Sequence, residues 1–325
     1  MKKFIAMLMA AVMVAGFACG CSKKDDKDKA DDITVRIGAL KGPTTIGVLG
    51  MTNDGVTDGI EGKYDLTMAT DPSEIAASLN AGNVDIALIP ANLAAKLYKN
   101  TDGAISVIDI NTLGVLYCVT GDASIASPSD LEGKTIVTTG QGNTPEYAIR
   151  YIMEANGIED YELDFRSEAT EIAALLAEDP DIIAVLPQPF VTVACSQNEA
   201  VSPVFSLSDE WDKTSDGSRM VTGVTVVRNE FLEEHEGNVA QFLEDHARSV
   251  EATSADLEAV ADLTVEAGIV GAAPVAVAAI PNCNIVCITG EEMKSSLSGY
   301  LSVLFDQDPT SVGGSLPGDD FYFVG

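Results

Sequence analysis

Seven neutral polar side chains fall where strand-like runs turn into helix-like runs: Thr44, Thr45, Asn92, Gln141, Asn143, Thr144 and Gln188. The first backbone N–H groups of a helix lack internal partners, so such turns bind an anionic or carbonyl oxygen. Threonine, asparagine and glutamine add neutral donors and acceptors. Together they imply recognition of a small polar molecule; singly, each equally suits a helix cap. Lys41 is placed to meet an anionic group, or is a loop lysine facing water. Tyr117 and Trp211, the single tryptophan, offer rings that stack on a planar ligand or pack internally. Arg219 offers a ligand contact or a salt bridge. Gly140-Gln141-Gly142 is part of a phosphate-cradling pattern, but the further glycine is missing and no Gly-Lys-Ser/Thr follows.

Catalysis finds no comparable set. His235 and His246 are expected on charged, exposed helical stretches. Neither a GxSxG elbow nor an HExxH pair occurs. With 50 carboxylates in the chain, acidic pairs arise by chance, and solvated faces are the default. The six cysteines are Cys19, Cys21, Cys118, Cys195, Cys283 and Cys287. The last four do not make a disulfide framework in a chain this long. Cys283 and Cys287 are not a CxxC pair and no histidine lies near them in sequence, so small buried residues are expected. The reading is no metal, no cofactor and no enzyme.

The chain has 325 residues, 46% of them hydrophobic, and a formal charge of −31. That size supports two lobes with real cores. Nucleic acid is excluded as a partner, because its binding needs cationic neutralisation of phosphates. A monomer is expected.

An internal repeat organises the chain. Glu74-Ile75-Ala76-Ala77 recurs as Glu171-Ile172-Ala173-Ala174, and the same spacing relates Leu79 to Leu176, Ile86-Ala87 to Ile183-Ala184, and Pro90 to Pro187. Asp71-Pro72 supplies an N-cap and a first-turn proline, predicting a helix to about Ala81 that stops at Gly82. Asp85–Ile89 then reads as a strand, and a helix begins at Asn92. The second copy predicts a helix over 168–178, a strand over 182–186 and a helix from Phe190. Strands at Ile33–Ala39 and Lys134–Thr139, each followed by a Gly/Pro/Thr turn and a helix, precede the two copies. Alternating strands and helices imply mainly parallel sheets whose ligands lie beyond the strands' carboxyl ends. The chain is expected to cross between lobes near Leu113–Val119 and return through Met220–Val227. The expected division is 33–118 plus 224–325 for one lobe and 119–223 for the other. The largely helical remainder from Asn229 is expected to pack on the first.

The N-terminus reads as an address. Met1-Lys2-Lys3 and the apolar run Phe4–Ala18 form a secretory signal pattern, too short for a permanent span. Ala18-Cys19-Gly20-Cys21 resembles a bacterial lipobox, with Cys21 as the lipidated residue and Cys19 as the alternative. Residues 1–20 are then the signal peptide. Residues 21–32, rich in Lys and Asp, form a charged tether.

Several of these features carry a family resemblance. They are the cysteine-ended signal, the strand Ile33–Ala39 with its Gly-Pro-Thr-Thr turn, Asp85-Ile86-Ala87-Leu88-Ile89-Pro90, Ser129-Asp130-Leu131-Glu132-Gly133-Lys134-Thr135-Ile136, and Gln188-Pro189-Phe190. Together they resemble type II periplasmic-binding proteins of the nitrate/sulfonate/taurine and thiamine-precursor group, also called NMT1/THI5-like. The resemblance implies an α/β, two-lobed fold with a ligand cleft between the lobes. It implies an extracytoplasmic solute-binding protein, held to the membrane only by its N-terminal lipid, whose partners are a small-molecule ligand and the permease and ATPase subunits of an ABC importer. A thiamine-precursor-like heterocycle is favoured over a sulfonate- or nitrate-type anion, because basic residues are scarce near the loops. A surface ligand sensor, or an enzyme of the same fold from pyrimidine or menaquinone synthesis, is the alternative. The run Ser311–Tyr322 looks like a subgroup signature without a derivable role.

Overall fold

The computed structural model describes residues 29–215 and 218–325. The signal sequence and both candidate lipidation residues, Cys19 and Cys21, lie outside the described residues. The first half runs β1 (Val35–Leu40), α1 (Pro43–Leu49), β2 (Tyr64–Ala69), α2 (Pro72–Asn80), β3 (Ile86–Pro90), α3 (Ala91–Asn100) and β4 (Ile105–Leu113). A second series follows: β5 (Leu116–Thr120), β6 (Lys134–Thr138), α4 (Thr144–Ala155), β7 (Tyr161–Phe165), α5 (Ala169–Glu178), β8 (Ala184–Pro187), α6 (Phe190–Gln197), β9 (Ser202–Ser206) and α7 (Leu207–Thr214). The chain ends with β10 (Val221–Arg228), α8 (Asn229–Glu234), α9 (Glu236–Ala255), α10 (Leu257–Glu266), α11 (Ala273–Ala279), β11 (Ile285–Ile288) and α12 (Gly290–Gln307).

Two mixed sheets result, each flanked by helices. The first has six strands in the order β11-β4-β10-β3-β1-β2, the second five in the order β7-β6-β8-β5-β9. In each, three strands of a βαβαβ unit pair in parallel, β2-β1-β3 and β7-β6-β8. In each, an antiparallel strand joins the unit's last strand, β10 beside β3 and β5 beside β8. The sequence repeat is therefore a repeat of topology. This is the two-lobed type II periplasmic-binding-protein architecture, with the antiparallel share of each sheet larger than the strand–helix alternation implied. The change of sheet falls at Gly114–Val115 and again before Val221, a few residues ahead of the expected boundaries.

Local chemistry explains the elements. Asp71 caps α2, its carboxylate accepting from the Ser73 N–H at 2.8 Å, with Pro72 in the first turn. Asp130 accepts from the N–H groups of Ala126 and Ser127, tying the turn that leads into β6. Gly140 must be glycine: its φ is +74°, and a Cβ there would lie 2.8 Å from Pro145. The central strands β3 and β4 are buried almost throughout, as strands covered on both faces must be. At the far ends of β1, β3 and β10, the buried Asp85 accepts from Arg36 at 2.9 and 2.5 Å and from Arg228 at 3.0 Å. Burial opposes its ionisation, but those guanidinium hydrogen bonds prevail and hold the carboxyl below its ordinary range.

The C-terminal helices pack on the first sheet, α9 against α1 and β11. Helix α12 also reaches the other half, where Tyr300 packs on Trp211 of α7. The segment after α12 straps back over the first sheet. Val312 and Phe321 are fully buried, Tyr98 donates to Asp320 at 2.7 Å, and the Phe323 N–H donates to the Val107 carbonyl.

Candidate ligand-binding site

A cavity of about 430 Å³ lies where the carboxyl ends of both parallel units converge. Its wall takes Leu40 and Lys41 from the end of β1, Thr70 after β2, Pro90 of β3, Thr139 after β6, Ser167 after β7 and Pro187 of β8. The starts of α1, α4 and α5 face it through Pro43 and Thr44, Asn143 to Pro145, and Glu168 to Thr170. None of these three helices has a side-chain cap, so their leading N–H groups lack that partner. Apolar wall comes from Leu40, Val115, Leu116, Phe190 and Ile269. Among the described residues, Lys41 and Glu168 are its only charged lining residues.

Four of the expected residues meet at this cavity: Lys41, Thr44, Asn143 and Thr144. Lys41 is exposed, with its Nζ close to Gly268, itself a wall residue. Thr44 is buried and its hydroxyl has no hydrogen-bond partner among the described residues. Thr144 is buried beside the Tyr300 phenol.

The other six are placed elsewhere. Thr45 is fully buried and donates to the Leu40 carbonyl, fastening the turn from β1 into α1. Asn92 is fully buried at the start of α3, with neither amide atom hydrogen-bonded, and is not a wall residue. Gln188 is bonded into the first turn of α6, its Oε1 accepting from the Thr192 hydroxyl at 2.9 Å and the Thr192 N–H at 3.3 Å. Gln141 lines a separate surface groove with Glu146 and Arg150. Tyr117 turns its phenol toward the Asn282 carbonyl. Trp211 is a core residue: it is fully buried, its indole N–H donates to Ser218 at 3.1 Å, and its ring sits 4.3 Å from Tyr151 and 5.4 Å from Tyr300. Arg219 takes the salt-bridge alternative, facing Glu292 at 3.4 Å.

The expectation for the histidines needs correcting. His235 pairs with Asp31 at 2.7 Å, but His246 is fully buried against Asp109, because the charged face of α9 is not the face that carries it. Cys118 and Cys283 are buried, as small core residues are.

Sequence reasoning missed Thr70, Thr139, Ser167, Glu168, Thr170, Phe190 and Thr222 as wall residues. Thr70 and the run from Ser167 follow β2 and β7, strands that went unread because charged residues interrupt them. The signal was present. Tyr64-Asp65-Leu66-Thr67-Met68 and Tyr161-Glu162-Leu163-Asp164-Phe165 both alternate with the strand period, at the spacing of the repeat.

The family model described as "NMT1/THI5 like" matches residues 63–259. The chain belongs to the NMT1/THI5-like family. No curated protein matches it. Among solved structures, an ABC transporter protein from Parabacteroides distasonis is similar at 22% identity and a TM-score of 0.76, over 90% of this chain and 99% of that one. The periplasmic aliphatic sulphonate binding protein of Escherichia coli is similar at 13% identity and a TM-score of 0.71, over 90% and 96%. The periplasmic nitrate-binding protein of Synechocystis is similar at 13% identity and a TM-score of 0.52, over 73% of this chain and 67% of that one. Among the described residues, no helix is long and apolar enough to cross a membrane.

Proposed function

We propose that the protein is the solute-binding component of an ABC-type importer and holds its solute in the cavity between the two sheets. The observation that carries this is convergence: six strand ends, three from each sheet, meet at one cavity of about 430 Å³. Such crevices are where α/β sheets take ligands, and the volume suits a small organic molecule. The lobes, one built on each sheet, open and close about the two chain crossings at Gly114–Val115 and before Val221, and a closed, loaded form is what the transporter's permease and ATPase subunits recognise. Catalysis is not part of this reading, since among the described residues the wall carries one lysine and one carboxylate but no nucleophile–base pair.

The wall supports an amphiphilic solute, its apolar or planar part against Leu116, Phe190 and Ile269 and its polar part at the helix starts. A thiamine-precursor-like heterocycle fits this division better than nitrate, which would leave most of the apolar wall without contact. A sulfonate-type anion is the second reading, favoured by the three helix starts without side-chain caps. The protein acts outside the cytoplasm, secured by lipid on Cys21, a reading supported by the apolar run Phe4–Ala18 and the small residues before that cysteine.

The test is the melting temperature of the purified protein against sulfonates, nitrate, thiamine precursors, flavins and amino acids. A ligand at a hundred times its Kd stabilises by about 2.7 kcal/mol, a shift of several degrees. A heterocycle is expected to shift the transition. A response to taurine or nitrate with none to a pyrimidine would replace the favoured solute by the anion.

A further inference from the structure

Away from the cavity, three donor groups of different chemistry meet under the first sheet. Asp109 of β4, His246 of α9 and Cys287 of β11 each bring one donor atom to within 4.8 Å of the others. Asp109 and His246 are fully buried, while Cys287, on the edge strand, is half-buried. The carboxylate is held from two sides. Asp109 Oδ2 lies 3.0 Å from His246 Nδ1, and Oδ1 accepts from the Thr225 hydroxyl at 2.7 Å. Thr225 in turn accepts from the Asn111 amide at 3.1 Å. Among the described residues His246 Nε2 has no hydrogen-bond partner, so the ring's polar contact is on the cluster side. The Cys287 sulfur has only a long contact, 3.9 Å, to the Leu243 carbonyl.

We propose that Asp109, His246 and Cys287 form a binding site for a borderline divalent transition metal, zinc above all. One oxygen, one nitrogen and one sulfur donor suit that class, whereas magnesium and calcium require oxygen sets. Charge supports the same class. A carboxylate and a thiolate balance a dication around a neutral imidazole, which a buried site requires. On binding, the Cys287 S–H bond is replaced by a sulfur–metal bond and its proton goes to solvent. The imidazole ligates through Nδ1, so the proton that Nδ1 directs at the Asp109 carboxylate moves to Nε2 and the ring stays neutral. A water is the fourth ligand of a four-coordinate ion at this set. Asp109 and Thr225 sit on β4 and β10, the strands that leave and re-enter the first sheet, so the ion would tie α9 and β11 to that pair.

The test is titration of the chelator-treated protein with Co²⁺, which reports thiolate ligation as a near-ultraviolet charge-transfer band and four-coordination as intense visible bands. Both are expected at stoichiometric metal, displaced by Zn²⁺, with a rise in Tm. Cys287→Ser is expected to abolish the charge-transfer band, while Cys195→Ser leaves it unchanged. Absence of the band in the unaltered protein would overturn the proposal without any variant. A band that survives in Cys287→Ser would equally overturn it, assigning the metal to another thiol.

Discussion

Replacing Trp211 separates packing from ligand contact. Its indole is fully buried between Tyr151 of α4 and Tyr300 of α12, and its N–H is bonded to Ser218. Removing a buried aromatic to alanine costs about 3–5 kcal/mol, from lost transfer energy and the cavity left behind. At roughly 2–4 °C per kcal/mol for a domain of 150–250 residues, Trp211→Ala is expected to lower Tm by about ten degrees. Trp211→Phe keeps a ring and loses the Ser218 hydrogen bond, so a drop of about 1–2 kcal/mol is expected. The binding readout uses this milder variant. Calorimetric titration with the stabilising compound is expected to give a Kd within a few-fold of the parent, because Trp211 is not a wall residue. A variant that melts normally but loses the solute would refute this reasoning and restore Trp211 as a ligand-stacking ring.

Three further outcomes follow from named contacts. Asp85→Asn removes the charge shared by Arg36 and Arg228; hydrogen bonds to a charged group contribute about 1.5–3 kcal/mol, and with Arg36 half-exposed a loss of about 2 kcal/mol is expected. Because the folded Asp85 pKa is depressed, its contribution is complete above the ordinary value of about 4 and is lost as pH falls through the folded value. Urea unfolding at neutral and acid pH should show the two proteins converging only in acid. Gly223→Val places a side chain where a Cβ already lies 2.5 Å from both Thr44 and Asn111, so a loss of about 1–3 kcal/mol and weaker solute binding are expected in paired melting and titration. Cys21→Ala is expected to move the protein from the membrane to the soluble fraction, and continued lipid labelling of that variant would transfer the anchor to Cys19.

Much of the fold was legible because the repeat carries real structure: α2, β3 and α3 occupy in one sheet what α5, β8 and α6 occupy in the other. Pro90 and Pro187, the last shared residues of that repeat, both reach the cavity wall. The site was half legible. Helix starts identified Thr44, Asn143 and Thr144, but a sequence does not say which polar residue of a turn faces outward. Thr45 and Gln188 spend their hydrogen bonds inside their own turns. Edge strands such as β2 and β7 hide behind charged solvent-facing residues, and the wall residues after them were lost with them. His246 was misjudged because one buried face of a long helix is averaged away by its charged neighbours.

The most direct test of the central claim is equilibrium dialysis of the stabilising compound against the parent protein and Ala169→Trp. Ala169 begins α5 at the cavity wall, half-buried against the core beneath that helix, so an indole there takes up cavity space, and an unchanged melting transition is required of the variant before its binding is read. The account predicts saturable binding at one site per chain in the parent and none in a normally folded Ala169→Trp. Equal binding by both proteins would contradict it, placing the solute somewhere other than between the sheets.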